Sequence, residues 1–308
     1  MNIIIAHNPL EDPLFWPILR ITAILFLFGF GLVLFFARKD LKAGLKGELG
    51  KRFLGWLMIA PVFLIGSFMK GVVAAIILFI FFYLVLAEYI RVVGVTRPYV
   101  SHLYIFVPIT FFTAQYFPEL YAVLPAAAIL TLTLVPILTH SIEDLYNQLS
   151  FAGRGYLYLV WSVGHLIMIQ HLAGTGLIMI TAIGVALSDV MQYTVGKLIG
   201  KHIIAPEVNP RKAWEGLIGD LLGAGLAVYL LRFALPVEFS LVHQIILAFL
   251  IGVGSAWGDL ISSMIKRVAD VKDWGQIIPG HGGLLDRANS MVVVIPLVYY
   301  FAYIILKY

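Results

Sequence analysis

The residues best suited to chemistry lie together near the end of the chain, between positions 258 and 289. This segment combines acidic and basic side chains with a histidine and a glycine-rich turn, in a chain that is only 12% charged. Polar residues in its first part share one face of a helix by their spacing, and they are Asp259, Ser262, Ser263, Lys266 and Asp270. Charged groups among apolar helices are costly unless they pair, bind a metal or act on a substrate. The segment therefore predicts a functional site.

A second polar segment, residues 188–216, lies earlier in the chain. Asp189 interrupts an apolar run about two helical turns before Lys197. A proline-containing loop follows, and Lys212 and Trp214-Glu215 lead into the next apolar run. An intramembrane carboxylate suggests function unless a neighbouring hydroxyl satisfies it. Both interpretations stay open for Asp189, and Lys212 is equally well a charge that fixes topology.

The elements that must position these residues are membrane helices. Hydrophobic residues make up 61% of the 308 residues and are grouped in long runs. A helix needs about 20 apolar residues to cross a bilayer, so we predict an all-α, polytopic integral membrane protein with about ten transmembrane helices. The predicted spans are 15–37, 53–69, 71–90, 103–117, 121–138, 156–172, 175–196, 217–235, 244–266 and 290–306. Cysteine is absent, which excludes disulfides and thiolate metal ligands.

Lysine and arginine predict the orientation, because cytoplasmic loops are enriched in both. With the predicted spans alternating, 17 of the 21 basic residues fall on one side of the membrane. We expect that side, with the loops 38–52, 197–216 and 267–289, to face the cytoplasm from the cytoplasmic (inner) membrane. The loop 38–52 is interpreted as a topology determinant that also suits anionic lipids.

Both polar segments resemble the signature of the phosphatidate cytidylyltransferase (CDP-diacylglycerol synthase) family. The later segment matches at Ser263, Lys266-Arg267, Lys272-Asp273, His281-Gly282-Gly283 and Asp286-Arg287. The earlier segment matches at Asp189, Tyr193, Gly196-Lys197, Gly200-Lys201, Pro210, Lys212 and Trp214-Glu215-Gly216. Asn289 departs from the family pattern, which has aspartate there, and Asp220 stands where glycine is common. The resemblance implies a cytidylyltransferase-like membrane domain at 52–308, with its catalytic part at 186–290. Residues 1–51 would add a transmembrane helix and a basic cytoplasmic loop.

The resemblance implies that a cytidylyl group passes from CTP to phosphatidate, giving CDP-diacylglycerol and pyrophosphate in phospholipid biosynthesis. It implies Mg²⁺ as cofactor, held by Asp259 and Asp286, with a second cation such as K⁺ left open. The implied catalytic residues are Asp259, Asp286, Lys266, Arg267, Lys272 and His281. The implied substrate-binding residues are Asp189, Lys197, Lys212, Trp214, Glu215, Ser263, Asp273, Gly282, Gly283, Arg287 and Asn289.

These residue types suit that chemistry. A phosphomonoester has a second pKa of about 6, so the attacking oxygen needs no strong general base. The obstacle is repulsion between two anionic substrates, which a divalent cation and basic side chains reduce while they stabilise the leaving pyrophosphate. Magnesium prefers oxygen ligands and keeps several waters, so two aspartates and substrate phosphates suffice.

Other functions stay open from the sequence. One is cytidylyl transfer to another lipid phosphate, such as an archaeol-type one; others are a degenerate non-catalytic paralogue and a lipid or ion carrier. We expect CTP, phosphatidate and membrane lipids as partners, no nucleic acid, and we leave a homodimer open. Asp220 is predicted to compensate for Asn289, the alternative being a helix-start aspartate favoured by the helix dipole.

Overall fold

The computed structural model describes residues 8–36, 48–69, 71–275 and 282–307. Within these ranges the long apolar runs form helices, as expected for backbone that must satisfy its own polar groups in a bilayer. The helices are α1 (Phe15–Phe36), α2 (Glu48–Met69), α3 (Gly71–Val93), α4 (Arg97–Tyr116), α5 (Leu124–Leu132), α6 (Leu134–Thr139), α7 (Leu145–Gly155), α8 (Ser162–Ile199), α9 (Trp214–Leu231), α10 (Leu241–Val268) and α11 (Leu285–Lys307). Short 3-10 helices occur at Pro9–Glu11, Pro118–Val123 and Arg232–Ala234, and a π-helical turn occupies Tyr156–Trp161.

Six stretches of the described helices are long and apolar enough to cross a membrane. They are Gly71–Val93, Pro118–Thr139, Leu145–Ile199, Trp214–Ala234, Leu241–Val268 and Leu285–Lys307. Shorter apolar helices lie at Phe15–Gly31 and Ile59–Met69. The predicted all-α membrane protein is thereby confirmed in class, whereas the predicted number of about ten spans is not confirmed.

The longest of these stretches bends sharply at Gly174. A straight helix of its 55 residues would far exceed the hydrocarbon core of about 30 Å. Gly174 has φ 77° and ψ −173°, a non-helical conformation that glycine adopts with little strain. The chain therefore turns between the two runs that were predicted as separate spans at 156–172 and 175–196.

A small antiparallel sheet between α8 and α9 is the main departure from the helical prediction. Strand β1 (Ile203–Ala205) pairs with β2 (Asn209–Ala213), with Ile203 opposite Ala213 and Ala205 opposite Asn209. The backbone N–H of Trp214 donates to His202 O at 2.9 Å, which closes the hairpin at the start of α9. Residues of β2 are thereby carried towards α10.

The packed centre of the molecule is formed by α8, α9, α10 and α11. Glycines allow close approach there, as is usual between membrane helices. A Cβ at Gly223 of α9 would collide with the backbone of Leu187 and Ser188, and one at Gly258 of α10 would collide with the backbone of Asn289 and Ser290. This tight packing brings the polar ends of α10 and α11 against each other and against β2.

Candidate active site

A pair formed by Lys212 and Asp259 joins the two polar segments. Lys212 Nζ lies 3.0 Å from Asp259 Oδ2 and also donates to Ala256 O at 3.1 Å. The lysine comes from β2 and the aspartate from the last third of α10. The Lys212 side chain is 3% exposed and that of Asp259 is 31% exposed, so the pair is open only on its carboxylate side.

Asn289 contacts the other oxygen of Asp259. Its Nδ2 donates to Asp259 Oδ1 at 3.2 Å, and its own Oδ1 accepts from the backbone N–H of Ser290 at 2.9 Å. An ionised aspartate at position 289 has no such N–H and would place a second negative charge beside Asp259. The departure from the family pattern thus replaces a carboxylate by a hydrogen-bond donor.

A second pair, Lys266 with Asp286, holds the start of α11. Lys266 Nζ lies 2.8 Å from Asp286 Oδ1, and the two side chains are 16% and 8% exposed. Asp286 Oδ2 accepts from the backbone N–H groups of Trp274 and Gly283, each at 2.9 Å. Asp286 therefore links α10, the segment after it and the first turn of α11.

Ser263 and Arg267 face the β-hairpin. Asn209 Nδ2 donates to Ser263 Oγ at 3.3 Å, and Arg267 Nε donates to Val208 O at 3.3 Å. Both contacts fix the turn between β1 and β2 on α10. The structure thus gives these two predicted site residues a role in holding the hairpin that carries Lys212.

The carboxylate of Asp189 is satisfied by hydroxyl groups. Its Oδ1 accepts from Ser255 Oγ at 3.1 Å and from Ser290 Oγ at 3.4 Å. Asp189 thereby connects α8 with α10 and α11, which agrees with the interpretation of a carboxylate satisfied by neighbouring hydroxyls.

Asp220 lies on α9 and is 1% exposed. Both of its carboxylate oxygens are buried without a hydrogen-bond partner in the described parts of the chain. Ser188 Oγ donates to its backbone carbonyl at 2.8 Å, which fastens α9 to α8 beside Asp189. The predicted compensation for Asn289 stays a prediction.

Lys197, Trp214 and Glu215 make contacts near the hairpin. Glu215 Oε1 accepts from His202 Nδ1 at 2.6 Å, and its Oε2 accepts from the backbone N–H of Lys201 at 3.1 Å. Lys197 Nζ lies 5.7 Å from the centre of the Tyr193 ring, and Trp214 is 56% exposed. Glu215 thus holds the connection from α8 to α9 in place.

The remaining predicted residues follow α10 in the sequence. Lys272 and Asp273 are exposed and belong to the lining of an open cavity of about 510 Å³. Its other lining residues are Arg91, Val92, Val271, Trp274 and Gly275.

Gly282 has φ 81°, and a Cβ there would lie 2.6 Å from Asp286 Oδ2. Arg287 follows in the first turn of α11, half-buried, and His281 lies outside the described residues.

Two residues near the C-terminal end of α3 were not predicted as site residues. Glu88 is 3% exposed, and its Oε2 accepts from the backbone N–H of Leu285 at 2.9 Å. Arg91 Nη2 donates to Trp274 O at 3.3 Å. The sequence did contain a signal for Glu88, because a carboxylate inside an otherwise apolar run is energetically costly unless it has a partner.

Tyr158 is a further residue that the sequence did not reveal. It lies in the π-helical turn, a feature frequent at functional sites. Its hydroxyl donates to Asn289 O at 3.3 Å and reaches Gly258 O at 3.5 Å. The π-turn therefore supports the crossing of α10 and α11 beside Asp259.

The oxygen donors of Asp259 and Asp286 are of the kind that magnesium prefers. Each carboxylate is also engaged by a lysine, and Asp259 is the more open of the two. Among the described residues, no group of three or more His, Cys, Asp or Glu side chains is arranged to hold a metal ion. The donor set fits a magnesium ion that takes most of its ligands from water and substrate phosphates.

The fold and site define a helical integral membrane protein with a charged site where α10, α11 and β2 meet. Residues 50–305 match the model of the cytidylyltransferase family, and the chain belongs to that family. The resemblance seen in the two polar segments is thereby confirmed.

Similarity to individual proteins extends over different lengths. Uncharacterized protein YnbB of Escherichia coli (strain K12) is 29% identical over 227 residues, which are 71% of this chain and 75% of that protein. Phosphatidate cytidylyltransferases of Haemophilus influenzae and Mycobacterium leprae are 41% and 39% identical over 123 and 119 residues. Those two matches cover 39% of this chain and 43% and 38% of the enzymes, so the chain spans less than half of their length.

Proposed function

We propose that this protein transfers a cytidylyl group from CTP to phosphatidate, giving CDP-diacylglycerol and pyrophosphate. The observation that carries the proposal is the joining of the two signature segments by the Lys212–Asp259 pair. The Lys266–Asp286 pair adds a second contact within the later segment. Family membership supports the reaction type, and the names of the similar enzymes support phosphatidate as the acceptor.

The proposed reaction is a displacement at the α-phosphorus of CTP. A phosphate oxygen of phosphatidate forms the new P–O bond, the bond between the α-phosphorus and the bridging oxygen breaks, and pyrophosphate leaves. The attacking oxygen is already ionised near neutral pH. Nearby cations must therefore offset the repulsion between the substrates.

Lys266 is suited to contact phosphate. Its Nζ donates to Asp286 Oδ1 at 2.8 Å, and an ammonium group carries further N–H donors. Lys212 is more fully engaged, because it donates to both Asp259 and Ala256 O. We assign Lys266 to the phosphates and Lys212 to holding Asp259 in place.

Magnesium, held by Asp259 and Asp286 together with substrate phosphates, would neutralise charge on the triphosphate. Asp259 and Asp286 belong to different helices, so this role depends on the packing of α10 against α11. Lys272 at the open cavity and the backbone of Gly282 are proposed as further phosphate contacts, since glycine lets the backbone approach an anion closely. The N–H of Gly283 is already bonded to Asp286 Oδ2.

The site is proposed to face the cytoplasm from the inner membrane, where CTP is available. The basic residues support this orientation by their predicted concentration on one side. The acyl chains of phosphatidate would stay in the bilayer while its headgroup reaches the site.

The test is CTP turnover by the protein in detergent, with phosphatidate as acceptor and Mg²⁺ and K⁺ varied separately. We expect CDP-diacylglycerol and pyrophosphate in equal amounts, and no product without a divalent cation. An archaeol-type phosphate as a second acceptor tests the lipid specificity. Absence of product from folded protein with every lipid phosphate would overturn the proposal.

A further inference from the structure

Helix α3 lies outside the signature segments, yet its C-terminal end holds the start of α11. Glu88 is 3% exposed, and its Oε2 accepts from the backbone N–H of Leu285, the first residue of that helix. The N–H groups of a first helical turn lack partners within the helix and favour a negative charge. Glu88 thus supplies both an acceptor and a charge to the turn that contains Asp286.

Two glycines make room for this carboxylate. A Cβ at Gly275 would collide with Glu88 Oε1, and a Cβ at Gly283 would collide with the Glu88 carboxylate from the other side. Both glycines lie in the segment that connects α10 with α11. Close packing of Glu88 therefore constrains the backbone at Gly275 and Gly283, on either side of Gly282.

Trp274 is a second residue through which α3 is linked to Asp286. Arg91 Nη2 donates to Trp274 O at 3.3 Å, and the Trp274 ring lies 5.8 Å from the Tyr89 ring, centre to centre. The backbone N–H of Trp274 in turn donates to Asp286 Oδ2 at 2.9 Å. The Asp286 carboxylate is thus set by two groups that α3 fixes, Trp274 and the start of α11.

We propose that Glu88 is a positioning residue of the site, which places Asp286 by holding the N-terminus of α11. The proposal rests on the proposed function in so far as Asp286 acts in cytidylyl transfer. Glu88 acts through the backbone of Leu285 and makes no contact with substrate in this role. A misplacement of about 1 Å in such a group lowers turnover by about 10²-fold.

Glu88→Ala and Glu88→Gln separate this role from general stability. Loss of the acceptor in Glu88→Ala should lower kcat by about 10²-fold and raise the Mg²⁺ concentration for half-maximal turnover. Glu88→Gln keeps a carbonyl oxygen for Leu285 N–H, so it should recover most of the activity and a near-normal Mg²⁺ requirement. Loss of folded protein alone would lower the apparent kcat but leave the Mg²⁺ requirement unchanged.

Gln148→Ala is the matched control. Gln148 is 4% exposed, and its Oε1 accepts from the backbone N–H of Thr96 at 2.9 Å, just before α4. It is the same kind of buried anchor at the start of a helix, here α4, which carries none of the candidate-site residues, and its Nε2 also donates to Gly94 O at 3.3 Å. Gln148→Ala should lower the thermal midpoint without moving the Mg²⁺ requirement.

Gly275→Ala is the alternative test variant in case Glu88→Ala does not fold. The added methyl displaces Glu88, so this variant should raise the Mg²⁺ requirement as Glu88→Ala does. If Glu88→Ala does fold, adding Gly275→Ala to it should change the Mg²⁺ requirement little further. An unchanged Mg²⁺ requirement in Gly275→Ala, with Glu88→Ala unfolded, would assign Glu88 to folding alone and overturn the proposal.

Amide hydrogen exchange tests the anchor without reference to the reaction. The N–H groups of Gly283 and Leu285 should be protected in the unmodified protein and exchange faster in Glu88→Ala, or in Gly275→Ala if the former does not fold. Unchanged exchange would overturn the positioning role whatever the enzyme assay shows. If exchange is faster in the variant but the unmodified protein shows no CTP turnover, the anchoring role of Glu88 is supported and the proposed reaction is overturned.

Discussion

Asp259 and Asp286 are each held by a lysine from another part of the fold. Lys212 precedes Asp259 by 47 residues, and Lys266 precedes Asp286 by 20. Removing one partner of a buried pair leaves the other charge uncompensated, which costs about 3–5 kcal/mol where burial is deep. The cost should be smaller at Asp259, whose side chain is 31% exposed.

Asp259→Asn and Asp286→Asn should each abolish cytidylyl transfer. Each change removes a carboxylate proposed to bind magnesium and weakens the hold on a lysine. Product formation from CTP and phosphatidate is the measurement, with folding checked by gel filtration and thermal unfolding. Asp144→Asn is the control, because Asp144 is an exposed aspartate before α7. Substantial turnover in both site variants would rule out the magnesium assignment.

The exchange of charge between positions 220 and 289 is a second prediction at this scale. Asp220 has no hydrogen-bond partner for its carboxylate in the described chain, while Asn289 donates to Asp259. If Asp220 compensates for Asn289, Asp220→Gly should raise the Mg²⁺ requirement and Asn289→Asp in the same chain should restore it. Asp220→Asn removes the charge but preserves the side-chain volume. It therefore separates the effect of the lost charge from that of the cavity left by Asp220→Gly. Metal dependence that stays unchanged in all of these variants would exclude Asp220 from metal binding. The alternative of a helix-start aspartate is wrong, because Asp220 is the seventh residue of α9.

The β-hairpin shows how an element determines the position of a site residue. Lys212 lies on β2, and the hairpin turn is fastened to α10 through Ser263 and Arg267. The family resemblance implied substrate contact for Ser263 and catalysis for Arg267. Their observed contacts give both residues a structural task that sequence spacing alone did not reveal.

Ser263→Ala should destabilise the protein modestly and leave its substrate affinity nearly unchanged. The change removes the acceptor of one hydrogen bond from Asn209, a loss of about 1 kcal/mol. Thermal unfolding in detergent and KM for CTP are the two measurements. Ser290→Ala is a comparison, since it removes a hydroxyl that donates to Asp189 instead. A KM raised by about tenfold or more without loss of stability would instead assign Ser263 to CTP, since such a change in binding is worth about 1.4 kcal/mol.

At the scale of the whole molecule, the proposed function requires that the site face the cytoplasm. The chain has no cysteine, so single cysteines can be introduced for labelling. Pro210 is exposed in β2 at one end of α9, and Val237, 96% exposed, lies beyond the other end.

Pro210→Cys should react with an impermeant thiol reagent only from the cytoplasmic side, and Val237→Cys only from the outer side. The reason is that α9 lies between the two positions and is predicted to cross the membrane. Labelling of intact cells and inverted vesicles measures both. Reaction of Pro210→Cys from outside would contradict a site that uses cytoplasmic CTP.

The sequence by itself determined the class of the protein and the two segments of the site. Apolar runs of membrane length require helices, because backbone polar groups have no water to bind in a bilayer. Charged residues inside such a chain stand out for the same energetic reason, and the motifs that they form resemble those of the cytidylyltransferase family. Local patterns of this kind need no knowledge of distant contacts.

Only the tertiary structure decided which of these residues meet. The pairing of Glu88 with Leu285 joins positions 197 residues apart, and the bond from Asn289 to Asp259 depends on the close crossing of α10 and α11. Helical periodicity tells which face a residue occupies but not which helix that face packs against or at what depth. The hairpin and the bend at Gly174 depend on the same packing, because short strands and a single glycine acquire their conformation from the helices that surround them.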